Sequence, residues 1–230
     1  MKLFYDLHIH SALSPCADDD MTPNNIVNMA MIKGLDVIAV CDHNCTANIP
    51  AVWSVAEQAG ILFIPGIEIT TAEEAHLLAY FHSAEQAVAF GNIIYDSLPD
   101  IENSTEYFGN QLILNAEDEI LGQKKKMLLS ATPFSLNECC TLIQEYDGVP
   151  VPAHINKEAD SIMANLGFMP QEIDFVTIEM WRNGMEFDAS GYRTLFNSDA
   201  HTLEQIAERD SIIIVDTKSV TSVLYKIGSR

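Results

Sequence analysis

Twice between residues 22 and 68 the sequence passes from a capped helix signal into a short apolar stretch, and that alternation leaves few folds open. Thr22-Pro23 reads as an N-cap followed by proline at the first helical position. Ile26, Val27, Ala30 and Met31 follow at helical spacing, and Gly34 ends the helix. Leu35 to Val40 is a β-branched apolar run suited to a buried parallel strand. Pro50 then opens a second helix, Gly60 closes it, and Ile61 to Glu68 forms the next strand. A strand at Lys2 to Ile9 precedes them and another at His76 to Phe81 follows. Strand, helix, strand, helix predicts an α/β fold with parallel strands.

From about Ser83 to Thr132 the pattern is less regular, with Gly91, Gly109, Gly122 and the run Lys124-Lys125-Lys126. It reads as a helix followed by an insertion with a short hairpin. Regularity returns at Ser135-Leu136-Asn137-Glu138, a capping box that opens a helix through Tyr146. Val149 to Ala153 leads into His154, Asp174 to Glu179 is a further strand, and Thr194 to Ser198 leads into Asp199-Ala200-His201. Ser211 to Val215 is the last strand, and a helix closes the chain.

With 230 residues, 48% of them hydrophobic, the chain can bury the core of one domain. No segment approaches the ~18 consecutive apolar residues of a membrane span. Residues 1–6 lack the apolar stretch and cleavage site of a secretory leader, so a soluble cytoplasmic protein is expected. The five cysteines, Cys16, Cys41, Cys45, Cys139 and Cys140, read as free thiols in a reducing compartment. The net charge of −21 predicts that duplex nucleic acid is repelled and is not a partner.

Six of the seven histidines, His8, His10, His43, His76, His154 and His201, fall at a strand start, a strand end or just past one. Acids lie among them. Loops at strand C-termini form the functional face of parallel α/β folds. Residues i and i+2 of a strand point to one side, so His8 and His10 can reach one cation together, as can Asp199 and His201. Imidazole and carboxylate without thiolate suit zinc, manganese or iron.

Asp6-Leu7-His8-Ile9-His10-Ser11 resembles the first motif of the PHP (polymerase and histidinol phosphatase) family. Asp42-His43-Asn44, Gly66-Ile67-Glu68 with His76-Leu77-Leu78, Pro152-Ala153-His154 and Ser198-Asp199-Ala200-His201 resemble the later motifs, in order, across residues 6 to 201. The resemblance implies a distorted (β/α)7 barrel, TIM-barrel-like, as a single domain over residues 1–230 with an insertion at about 85–132. It also implies two or three divalent metal ions. His8, His10, Glu68 and Asp199 would hold one, and Glu68 would bridge to a second held with His76 and His154. His43 and His201 would hold a third with an acid from the first loop, where the family's Ser-Asp-Gly is replaced by Ser14-Pro15-Cys16-Ala17-Asp18-Asp19-Asp20. Counting back from Pro23 selects Asp18, with Asp19 and Asp20 as alternatives.

The implied chemistry is hydrolysis of a small phosphate ester, such as a nucleotide, by metal-activated hydroxide. Glu68, His43 and His201 are the candidate catalytic residues, and His201 or His43 could protonate the leaving oxygen if the third metal is absent. Lys157, Arg182 and Arg193 are candidates to grip the phosphate. The alternatives are an exonuclease of the same family acting on short oligonucleotides, a non-catalytic metal-binding module and an amidohydrolase-like C–N hydrolase. Against the last, no lysine stands where it would bridge metals on a strand between Glu68 and His154.

Overall fold

A computed structural model describes residues 1–229. Ten strands and seven α-helices follow in the order β1 (Lys2–Ile9), α1 (Pro23–Ile32), β2 (Val37–Val40), α2 (Ile49–Ala59), β3 (Leu62–Thr70), β4 (His76–Tyr80), α3 (Ala84–Ser97), α4 (Thr105–Phe108), β5 (Leu112–Leu114), β6 (Ile120–Gln123), α5 (Leu136–Glu145), β7 (Val149–Pro152), α6 (Ile162–Asn165), β8 (Thr177–Glu179), β9 (Arg193–Leu195), β10 (Ile212–Ile214) and α7 (Val220–Gly228). The local signals act as their chemistry requires. Thr22 accepts from the Asn25 amide above Pro23, and Ser135 and Glu138 form the reciprocal capping box of α5.

Six strands form one sheet in the order β10-β1-β2-β3-β4-β7, while β5–β6 and β8–β9 are separate pairs. The fold is mixed α/β with a curled half-barrel sheet, which corrects the expected (β/α)7 barrel and its parallel strands. β1, β2 and β3 are parallel, but β10 runs antiparallel to β1, and β4 runs antiparallel to both β3 and β7. The short Thr71–Ala75 connection explains the reversal at β4, because a parallel crossover needs a dozen or more residues. No helix among the described residues is long and apolar enough to cross a membrane.

The sheet separates two cores. Ile38, Val40, Ile67 and Ile69 pack with Ile26 and Ala30 of α1, Val52 and Ala56 of α2, and Phe90 and Ile94 of α3. On the other side Leu3, Tyr5, Leu7, Val37, Ala39 and Ile64 pack with Val223, Leu224 and Ile227 of α7. Strand alternation would place Ile9 with Leu7, yet it belongs to the first core. A register shift between Asp6 and Ile9 in the β1–β2 pairing accounts for this. It inverts the alternation at the end of β1, as a bulge does.

Candidate metal centre

β1, β2, β3 and β7 point the same way, and His8, His10, His43, Glu68 and His154 lie at or just past their C-terminal ends. His76 starts β4, which runs the other way, so its first residue comes to the same end, paired with Thr70. A parallel bridge between Ile9 and Ala200 sets Asp199 and His201 beside β1.

Glu68 is fully buried at the middle of this group. One of its oxygens lies 2.9 Å from His76 Nδ1, 3.2 Å from His154 Nε2 and 3.5 Å from His8 Nε2. The other lies 3.1 Å from His43 Nδ1 and 3.4 Å from His10 Nε2. Asp199 Oδ1 is 3.0 Å from His10 Nε2 and 3.4 Å from His8 Nε2. Despite these short distances, His8 Nε2, His43 Nδ1, His76 Nδ1 and Glu68 Oε2 are buried without a hydrogen-bond partner. Buried polar atoms rarely go unpaired. Here they crowd together, as donors to a cation do. Three groups have ligand atoms within 4.8 Å of one another: His8, His10, Glu68 and Asp199; His43, Glu68 and His76; and His10, His43 and His201. Glu68 is common to the first two. The donor set therefore fits divalent metals of the zinc, manganese and iron kind.

The electrostatics agree. Burial alone would raise the Glu68 carboxyl, but His76, His8 and His43 hold it well below the usual carboxylate range. Asp199 is also held low, against burial, by His8 and His10. Burial and His201 pull His10 down to about 4, and burial takes His43 well below the usual imidazole range. Both rings offer neutral nitrogen lone pairs at pH 7. Burial opposes protonation of His8, yet Glu179, Glu68 and Asp199 outweigh it and raise the ring.

Several residues here hold the candidate ligands in place. Glu179, at the end of β8, is 2% exposed. Its oxygens lie 3.0 and 3.1 Å from His8 Nδ1, and they accept from the His154 amide at 2.7 Å and the Asn197 side chain at 2.7 Å. Sequence reasoning missed Glu179 as a functional residue; the signal available was an acid closing an apolar strand at the functional face. Asp42 accepts from Ser14 Oγ, which also meets His10 Nδ1 at 2.9 Å. Asn44, His154 and Asp199 have φ of 49°, 24° and 51°. Asn44 is fixed there by donating to the Leu128 and Ser130 carbonyls and accepting from the Thr70 amide. Left-handed backbone at non-glycine residues is costly and gathers at functional sites.

A cavity of about 500 Å³ opens over the centre, lined by His43, Glu68, His76, His154, Asp199 and His201 together with Lys157 and Cys16. Lys157 Nζ pairs with Asp199 Oδ2 and stands 4.4 Å over the Trp181 ring. The other predicted contacts are corrected. Asp18 is exposed and lines a different cleft with Asp20, Lys33 and Glu208, because the turns at Ser14 and Ala17 bring Cys16 to the cavity and carry Asp18 outward. Asp19 is exposed too and accepts from Asn110. Arg182 does not line the cavity; it pairs with Asp210 at 3.0 Å. Arg193 starts β9, which is parallel to β8, so it lies at the end away from the centre, donating to the Lys226 and Ser229 carbonyls of the α7 end.

The profile of the PHP domain family matches residues 6–159, about two thirds of the sequence. The chain belongs to the PHP domain family. This PHP chain is 40% identical over 67 residues to the 5'-3' exoribonuclease of Haemophilus influenzae, covering 29% of this chain and 23% of that protein. It is 30% identical over 90 residues to the 3',5'-nucleoside bisphosphate phosphatase of Chromobacterium violaceum, covering 37% and 30%. The matches thus span less than a third of either curated relative. In fold it is similar to the lesion-specific endonuclease PfuEndoQ of Pyrococcus furiosus, with TM-score 0.68 and 19% identity over 99% of this chain and 56% of that one. Endonuclease Q in complex with a 27-mer duplex carrying an abasic lesion gives 0.66 at 19% identity, again over 99% and 56%.

These relatives overturn the expectation that duplex nucleic acid is no partner. Net charge sums the whole surface, whereas fixed charges are screened beyond ~8 Å at physiological salt. A duplex meets the field of the face it touches, and −21 over the molecule does not decide that field.

Proposed function

We propose that this chain is a metal-dependent phosphoric ester hydrolase acting on nucleotide phosphate esters. Two cations, of zinc, manganese or iron, would be held by His8, His10, Glu68 and Asp199 and by Glu68, His76 and His154 with His43. His43 and His201 with His10 offer a third position. The observation that carries this reading is Glu68, a buried carboxylate shared by two donor groups in which His8 Nε2, His43 Nδ1 and His76 Nδ1 have no hydrogen-bond partner. Bound there, the cations would supply positive charge opposite the phosphoryl oxygens and acidify water towards neutrality.

The chain's own groups have separable roles. Glu179 and Ser14 fix the rings of His8 and His10, sparing the substrate the cost of ordering them. Lys157 reaches the cavity from its Asp199 contact and is placed to take a phosphate oxygen. His201 Nδ1 meets the Asp199 carbonyl at 2.8 Å; the carbonyl accepts, so Nδ1 carries the hydrogen and Nε2 is left to ligate or to carry a proton to the leaving oxygen. His43 is held neutral by burial, the state in which an imidazole nitrogen can ligate a metal. An exonuclease acting on short oligonucleotides is the second reading, favoured by the exoribonuclease relative.

The test is a hydrolysis screen over mononucleotides, sugar phosphates, 3',5'-bisphosphorylated nucleotides and end-labelled oligonucleotides, each with zinc, manganese and iron. Chelator-free protein should carry about two equivalents of transition metal, and Glu68→Gln should lose metal and activity together. Less than one equivalent of metal, with no hydrolysis under any condition, refutes the assignment.

A further inference from the structure

Beyond Glu179 the chain runs directly into Met180-Trp181-Arg182, so whatever this loop builds stands next to the metal centre. The loop is anchored by Asn156, a 3% exposed side chain two residues after His154. Asn156 accepts from the Trp181 amide at 2.7 Å and donates to the carbonyls of Trp181 and Met185 at 2.9 and 3.1 Å. The Met185 amide returns to the Asn156 carbonyl at 2.8 Å. A Cβ at Gly184 would lie 2.3 Å from Asn156 Nδ2, so only glycine allows the loop to close this tightly. A buried amide spends its hydrogen bonds on presenting one loop.

The loop presents an aromatic wall. Trp181, Arg182 and Phe196 line two adjoining clefts of about 650 and 220 Å³, the larger one reaching Phe187. Trp181 also carries the Lys157 ammonium on its ring, and Lys157 lines the cavity over the metal centre, so these two side chains join the clefts to the reaction site. The charge at the larger cleft is unsuited to a second phosphate. Glu186 and Asp188 face it, and its one cation, Arg182, is already paired with Asp210. Flat apolar rings beside carboxylate acceptors suit a neutral aromatic group bearing N–H and O–H donors.

We propose that this wall is a nucleobase subsite, with Trp181 as the stacking residue, taking the base of the nucleotide whose phosphate lies at the metal centre. The inference rests on the hydrolase reading above and deepens it by naming the side chains that would take the base. Stacking on an aromatic side chain is typically lost on alanine substitution with an effect of about tenfold or more.

The experiment compares kcat/KM for adenosine 5'-monophosphate and ribose 5-phosphate in the wild type, Trp181→Ala and Trp181→Phe. The ratio of the two substrates cancels any disturbance of Lys157, which both phosphates would feel. Trp181→Ala should lower that ratio about tenfold, and Trp181→Phe should restore most of it. Adenosine alone should quench tryptophan fluorescence in the wild type and not in Trp181→Phe. A ratio unchanged within about twofold in Trp181→Ala overturns the subsite and leaves Trp181 as a support for Lys157. If the wild type hydrolyses neither ester, quenching by adenosine decides the subsite independently of the hydrolase reading: its absence overturns the subsite.

Discussion

Replacing Glu179 with Gln tests whether the metal centre depends on a residue that is outside every candidate ligand group. The carboxylate meets three donors: His8 Nδ1 through both oxygens, the His154 amide at 2.7 Å and the Asn197 side chain at 2.7 Å. Gln keeps the shape but has one acceptor oxygen and an NH2 group, so at least one donor must then face a donor. Asn197 cannot turn over freely to help, because its Oδ1 accepts from the Leu7 amide at 2.9 Å. A buried donor left unpaired costs about 1–3 kcal/mol, and each 1.4 kcal/mol is about tenfold in an equilibrium constant. Loss of the charge-assisted contact to His8 acts in the same direction, since it holds the ring oriented and electron-rich. Metal affinity should fall by about 10- to 100-fold. The assay is competition for zinc with a chromophoric chelator on wild type and Glu179→Gln. Circular dichroism on both should show the same folded signal. A folded Glu179→Gln protein with zinc affinity within about twofold of wild type refutes the argument that Glu179 positions His8 and His154.

Two further outcomes follow from packing and burial. Gly91→Ala should destabilise the fold although alanine is the better helix former by about 1 kcal/mol. The new Cβ would lie 2.1, 2.7 and 2.9 Å from Thr46 Oγ1, Cγ2 and Cβ, so rotating the threonine cannot relieve it. A net loss of about 2 kcal/mol, or roughly 4–8 °C in Tm, is expected from thermal melts, and an unchanged or raised Tm contradicts it. In the folded protein, iodoacetamide at pH 7.5 should modify Cys16 at most. Cys41, Cys45, Cys139 and Cys140 are buried, and burial pushes the thiols of Cys139 and Cys140 up to about 12, so the reactive thiolate is scarce there. Cys16 is exposed as a residue, but desolvation of its thiol at the cavity wall and the Glu68 charge push it up to about 12, so it too should react slowly. Two or more adducts by intact mass before unfolding would argue against this packing.

The sequence was informative wherever a signal acts over a few residues. Thr22-Pro23 and the Ser135–Glu138 box start helices because a cap is satisfied by amides two or three positions on. The apolar runs around Val37 and Ile64 become strands in the predicted order. His8, His10, Glu68 and Asp199 could be named because an ordered series of short motifs carries them, and the fold brings their ligand atoms within 4.8 Å of one another. Tertiary structure decided what depends on strand direction and on where a turn sends a side chain. His76 reaches the centre from a strand start because β4 is antiparallel, and Arg193 is lost from it because β9 begins at the far end. Asp18 and Cys16 are two residues apart in one loop, yet only Cys16 lines the cavity. Glu179 gains its partners across 171 and 25 residues of sequence, through a pairing of β8 that no local periodicity encodes. Helix caps and strand propensities are set by near neighbours, whereas sheet order, direction and register are set by which distant apolar faces bury one another. That global packing fixes the positions of the groups that meet at the metal centre.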